Sequence, residues 1–157
     1  MTIKLIAIGK TDRKEVSNLF DEYFNRLKHY ARTELTIIPD LKNRKALDVE
    51  QQKKAEGLLI LKKLNPNDIV VLLDENGREM SSEQLAKYLQ KKMNSGMKQL
   101  VFVIGGPYGF SQEIYKRANE SISLSKMTFS HQMVRIFFAE QLYRAFTIIR
   151  GESYHHK

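Results

Sequence analysis

The stretch Leu100-Val101-Phe102-Val103-Ile104-Gly105-Gly106-Pro107-Tyr108-Gly109-Phe110-Ser111 decides the fold. Its five leading residues are all apolar and mostly β-branched or aromatic, which predicts a strand buried on both faces. The strand runs straight into a glycine-rich loop, and Ser111 is placed to cap a helix behind it. Working outward, the same alternation repeats. Thr2 to Ile8 reads as a short buried strand ended by Gly9. Val16, Leu19, Phe20, Tyr23, Phe24 and Leu27 recur at three- and four-residue steps, the period of a helix. Glu34 to Pro39 predicts a second strand, and the polar stretch Leu41 to Lys54 a surface loop running into a helix that ends near Leu64. Asp68 to Leu73 is a third strand, followed by Asp74-Glu75-Asn76-Gly77 as a turn. Ser81 and Gln84 form a capping box for a helix that Ser95-Gly96 ends. Ser121 to Leu124 is a short fifth strand, Ser125 to Ser130 a loop, and His131 to about Arg150 one long helix. Strands alternating with helices mean an α/β fold with a mostly parallel sheet and helices on both faces. Ligands of such sheets bind beyond the carboxyl ends of the strands, here the loops after Leu73, Ile104 and Leu124.

The chain has 157 residues, 26 Lys+Arg and 18 Asp+Glu, for a formal net charge of +8. That length fits a single domain over residues 1–157. Hydrophobic residues at 42% and charged ones at 28% exclude wholesale disorder. Cysteine is absent, so neither a disulfide framework nor a Cys-based zinc site is possible, and a reducing compartment fits. The N-terminal apolar run is too short for a signal peptide, and no window approaches the ~18 apolar residues of a membrane span. The expectation is a cytoplasmic protein with no membrane association. The charge favours a polyanionic partner, nucleic acid ahead of an acidic membrane face.

The last helix is apolar around most of its circumference: Met133, Val134, Ile136, Phe137, Phe138, Ala139, Leu142, Tyr143, Ala145, Phe146, Ile148 and Ile149. A helix on one side of a small domain needs an apolar stripe of only ~100°. Either it is a core helix within one chain, or a second copy covers it. A homodimer is the expectation, because an exposed second face would be a large apolar patch.

Three constellations could carry chemistry. Glycines 105, 106 and 109 allow close backbone approach to a ligand. Their spacing is not that of a dinucleotide fingerprint, the Walker lysine is missing, and Pro107 and Glu113 disfavour a phosphate cradle. Taken alone, the loop is read equally well as a tight structural turn. His131 and Arg135 are four apart near the start of the long helix and share one face. For His131 a cap or a packed imidazole stands beside a functional role. Glu140 and Arg144 repeat the spacing one face over, where a helix ion pair, worth ~0.3–0.5 kcal/mol if exposed, is the simplest reading. The tail Tyr154-His155-His156-Lys157 suits base stacking and phosphate contact better than metal binding, since adjacent histidines point apart and no third ligand is nearby. No metal is expected. A disordered terminus is the other reading of the tail.

Taken together, Ile104 to Gly109, Ser123 to Thr128, His131 with Arg135, Glu140-Gln141-Leu142-Tyr143-Arg144-Ala145 and the closing Tyr154-His155 fall in an order that resembles the RlmH-type large-subunit ribosomal RNA methyltransferases of the SPOUT class. Leu5 to Lys10 matches as well, so the resemblance spans essentially the whole chain. It departs from the pattern in the Lys42–Lys54 region and in the doubled His155-His156. The resemblance implies an α/β knot, with the C-terminal part threaded through a loop as a trefoil. It implies S-adenosylmethionine as cofactor, a homodimer with each site built from both chains, and N3-methylpseudouridine made in large-subunit (23S) rRNA on the assembled ribosome. The alternative is a non-catalytic ribosome- or RNA-binding protein of the same fold. Carried over residue by residue, the cofactor contacts fall on Leu73, Gly105, Leu124, Ser125, Lys126, Met127, Thr128 and Phe129. The acceptor side falls on Arg135, His131, Tyr154 and His155, with the choice of general base left open.

Overall fold

A computed structural model describes residues 1–156. In chain order it forms β1 (Thr2–Ile8), α1 (Lys14–Leu27), β2 (Arg32–Ile38), α2 (Val49–Leu61), β3 (Ile69–Glu79), α3 (Ser82–Asn94), β4 (Gln99–Ile104), α4 (Gln112–Arg117), β5 (Glu120–Ser123) and α5 (Met133–Ile149). Short 3₁₀ turns cover Arg44–Ala46 and Ser153–His155. The strands lie in the order β2-β1-β4-β3-β5, and every pairing is parallel. The expected α/β architecture with a parallel sheet is what the chain adopts.

Side chains on a strand alternate between faces, and here each face has its own core. Ile3, Leu5, Val71, Leu100, Phe102 and Ile104 pack with α1, α3 and α5. Ile6, Ile8, Val70, Leu72, Val101 and Val103 pack with Ile60 of α2 and Ile114 of α4. The Ser81–Gln84 capping box forms as expected, with Gln84 N–H to Ser81 Oγ at 3.2 Å and Ser81 N–H to Gln84 Oε1 at 2.8 Å. Asp48 and Gln51 build a second one at the start of α2.

α5 is mostly a core helix. It lies against α1 and α3, and Phe138 meets Phe102 of β4 at 4.8 Å between ring centroids. β-branched and aromatic residues are mediocre helix formers, so packing stabilises this helix, at ~1.5–3 kcal/mol per fully buried apolar side chain. What packing leaves over is one stripe: Met133 is 40% exposed and Phe137 43%, and the Phe137 ring lies tilted 5.1 Å from that of Phe129, itself 36% exposed.

One segment departs from expectation. Asp74 to Gly77 is not a turn that ends the strand. β3 continues to Glu79 and pairs with β5 twice, Leu73 and then Arg78 both lying opposite Ile122. The intervening residues bulge outward, and Gly77 passes so close to β5 that a Cβ there would lie 2.7 Å from Ile122 and Ser121 backbone atoms. Only glycine fits that approach. Gly77→Ala is expected to lower stability by ~1–3 kcal/mol, the usual cost of overpacking, read as a drop in the urea midpoint.

Candidate functional site

Three strand exits converge on one cleft of about 340 Å³. After β4, Gly109 takes φ +80° and its N–H reaches Gly106 O at 3.2 Å, closing a tight turn. Buried Phe110 fills the space behind Gly105, where an added Cβ would lie 3.0 Å from the ring. After β3, the Asp74 carboxylate accepts the Tyr115 hydroxyl and, at 2.9 Å, the Asn76 N–H. After β5, Ser123 Oγ donates to Ser125 O at 2.9 Å and Ser125 Oγ accepts the Met127 N–H at 3.0 Å, which coils the loop. Thr128 Oγ1 donates to Glu75 Oε2 at 3.0 Å, tying the β5 exit to the β3 exit.

Leu73, Gly105, Leu124, Ser125, Met127, Thr128, Phe129 and His131 all line this cleft. Lys126 is exposed and stands outside the lining. The lining mixes apolar side chains with polar and acidic ones, and the volume lies in the range of small-molecule sites. The glycine spacing had left a ligand loop and a structural turn as equal readings. The loop is a turn and also a wall of the cleft.

Arg135 is 2% exposed and held by three hydrogen bonds. Its guanidinium donates to Ile8 O at 2.5 Å, Thr11 Oγ1 at 3.2 Å and His131 O at 3.1 Å. It thereby ties the β1 exit to the entry of α5, which begins at Met133 rather than at His131. Burial lowers the His131 pKa first and the Arg135 charge lowers it further, while Asp40 and Asp12 oppose. The imidazole is therefore held toward its neutral form, with one ring nitrogen able to accept a proton. Gln132, unremarked in the sequence, braces the same corner: its Nε2 donates to Asp12 Oδ2 at 2.8 Å and its Oε1 accepts the Asp12 N–H at 3.1 Å.

Tyr154 and His155 are docked, not free. Tyr154 O–H donates to Glu140 Oε1 at 3.1 Å, its ring lies 4.7 Å from that of Tyr143, and the Arg144 guanidinium sits 4.7 Å above it. His155 Nε2 lies 2.9 Å from Glu83 Oε1 and its Nδ1 3.4 Å from Arg144. The Glu140–Arg144 ion pair exists, at 2.5 Å, and also carries the tail. Burial, then bonding to Tyr23 and the Glu140 charge, push the Tyr154 pKa up, so its hydroxyl is a donor at neutral pH and a poor base. Met133 to Glu140 spans about 10 Å of helix axis. One chain thus brings His131 to Arg135 and Tyr154 to His155, but sets the two pairs at different levels of α5.

Glu56 has no sequence signal: a glutamate beside Lys53 and Lys54 reads as solvated. It is 4% exposed, Oε1 takes the Gln52 amide at 3.1 Å, Oε2 has no hydrogen-bond partner among the described residues, and a Cβ on Gly106 would lie 2.6 Å from that Oε2. Burial raises its pKa, the Gln52 bond opposes, and Asp40 adds to the rise. The stability it contributes is complete below the ordinary carboxyl pKa and is lost as pH rises through the raised one. Glu56→Gln cannot ionise. Between pH 5 and 9, thermal melts should show the wild type losing Tm relative to this variant as pH rises.

Comparison with known proteins gives concordant results. A family model described as "Predicted SPOUT methyltransferase" matches residues 1–155. The chain is 64% identical, over 157 residues and the full length of both chains, to a protein of Christiangramia forsetii named "Ribosomal RNA large subunit methyltransferase H". Proteins of that name from Flavobacterium johnsoniae and Bacteroides thetaiotaomicron are 62% and 52% identical, also over the full length of both chains.

Proposed function

The chain belongs to the SPOUT methyltransferase family, and on that premise we propose that it methylates N3 of a pseudouridine in large-subunit rRNA, on the assembled ribosome, with S-adenosylmethionine as donor. The observation that carries this reading is the convergence of the β3, β4 and β5 exits on one cleft. The residues there suit the cofactor: Leu73, Leu124 and Phe129 offer apolar walls for a purine, the coiled loop after β5 offers backbone groups to its edge, and Gly105 admits close approach.

When bound, S-adenosylmethionine supplies an electrophilic methyl group on a positively charged sulfur. The chain's own task is then positioning and one proton. The three loops fix the donor so that an acceptor nitrogen can approach in line, an effect of orientation more than of covalent chemistry. The imide N–H of the base must lose its proton, and neutral His131 at the cleft wall is the group able to take it. Buried Arg135 holds His131 by its carbonyl and supplies positive charge beside it.

Tyr154 and His155 complete the acceptor side in this reading, contributed by a second copy of the chain. Two features support the homodimer: the exposed stripe of Phe129, Met133 and Phe137, and the separation of the two residue pairs within one chain. The C-terminal segment threads as a trefoil knot. Two chains carry the ribosome contact in this reading, each with a formal charge of +8. Among the described residues no helix is long and apolar enough to cross a membrane. The reaction is placed in the cytoplasm, where ribosomes assemble.

Calorimetry tests the cofactor half of this reading. One S-adenosylmethionine should bind per chain, and no binding to the protein, alone or with ribosomes, would overturn it. Sedimentation tests the other half. Phe137→Glu is expected to give a folded monomer with no methylation, and a variant that remains a dimer with full activity would place the interface elsewhere.

A further inference from the structure

The charge of the cleft runs against that of the protein. The chain carries a formal net charge of +8, yet among the described residues no lysine or arginine lines the cleft, while Asp74 and Glu75 both do. Its one basic lining residue, His131, is held toward neutrality. Neither carboxylate is spent on an ion pair among the described residues. Asp74 is oriented by the Tyr115 hydroxyl and the Asn76 N–H, and Glu75 by Thr128. These neutral donors fix the two carboxylates in place and leave their charge uncompensated. Lys126 is nearby in the chain but exposed, outside the lining.

We propose that Asp74 and Glu75 make the cleft selective for the positively charged, methyl-bearing cofactor over its neutral product. The proposal rests on the cofactor reading above. S-adenosylmethionine carries a sulfonium and an ammonium against one carboxylate, a net charge of one positive unit. On transfer the sulfur–methyl bond breaks, its electron pair stays on sulfur, and S-adenosylhomocysteine is left with no net charge. Two fixed carboxylates in a partly enclosed cleft stabilise the first species and not the second, and in such a site Coulombic attraction is screened less than in open water. The same geometry favours exchange of spent cofactor for fresh, since the attraction disappears at the chemical step.

Asp74→Asn and Glu75→Gln isolate the charge: the Asn oxygen still accepts the Asn76 N–H while its NH2 donates to the Tyr115 hydroxyl oxygen, and the Gln oxygen still accepts the Thr128 hydroxyl. The test is calorimetric affinity for three ligands: S-adenosylmethionine, S-adenosylhomocysteine, and sinefungin, in which an amine-bearing carbon replaces the sulfonium. The double variant should bind S-adenosylmethionine and sinefungin about tenfold more weakly and S-adenosylhomocysteine within about twofold of wild type, as expected for loss of charge pairing by one half-buried and one exposed carboxylate. Raising the salt concentration should weaken the two cationic ligands in wild type and spare the neutral one. Equal losses for all three would overturn the proposal, by showing that the carboxylates hold the ammonium common to all of them, and unchanged affinities would overturn it outright. If the wild type bound none of the three, the cofactor reading itself would fall instead.

Discussion

Deleting residues 154–157 is expected to reduce methylation of ribosomes at least ~100-fold while S-adenosylmethionine affinity stays within about threefold of wild type, because the deletion removes acceptor positioning and leaves the cleft whole. Tyr154 and His155 dock on Glu140, Tyr143, Arg144 and Glu83, none of which lines the cleft. Losing the Tyr154 ring also uncovers Tyr143, so a fall in stability of ~1–2 kcal/mol accompanies the kinetic effect and is too small to unfold a typical domain. Equal loss of cofactor binding and activity would show that the tail only supports the fold. The proposed sharing of the site between two chains gives a sharper form of the same test. A tail-deleted chain and a His131→Ala chain are each inactive, but a heterodimer of the two holds one intact site. Random mixing should restore about one quarter of wild-type activity, since half the dimers are mixed and each has one good site of two. No recovery, in dimers shown to exchange subunits, would place all acceptor residues on one chain.

Gly105→Val should weaken S-adenosylmethionine binding ~100-fold or more. The added Cβ would lie 3.0 Å from Cε1 and 3.2 Å from Cζ of Phe110, and 3.3 Å from Gly109 O. Phe110 is buried and cannot yield freely, so the strain passes to the Gly106–Gly109 turn that walls the cleft. Binding measured at a temperature where circular dichroism shows the fold intact separates this from unfolding. A variant that is destabilised yet binds normally would show Gly105 to be a packing residue only.

The strands were legible because parallel strands buried on both faces write continuous apolar runs, as Leu100 to Ile104 does. The Ser81 capping box was legible because it is local, with donor and acceptor three residues apart. The three strand exits followed from the sheet rule, and Leu73, Gly105 and most of Leu124 to Phe129 do meet there. What escaped depends on partners distant in sequence. Asp74 to Gly77 has a turn composition, but β5 recaptures the chain at Arg78, 44 residues before its partner Ile122, so a local reading ends the strand too early. The buried Glu56 is set by Gly106, and the anchoring of Arg135 by Ile8 and Thr11. α5 looked too apolar for one chain. Most of its surface is absorbed by α1, α3 and Phe102, and only the Met133–Phe137 stripe is left exposed.

The most direct test of the central claim is mass spectrometry of large-subunit rRNA after incubating the purified protein with isotopically labelled S-adenosylmethionine and ribosomes from cells that lack it. The expected result is one labelled methyl group per ribosome, on N3 of a pseudouridine, and none when the ribosomes are replaced by the same rRNA free of protein. Ribosomes that remain unlabelled, with a protein shown to bind the cofactor, would contradict it, as would label on a different atom or nucleoside.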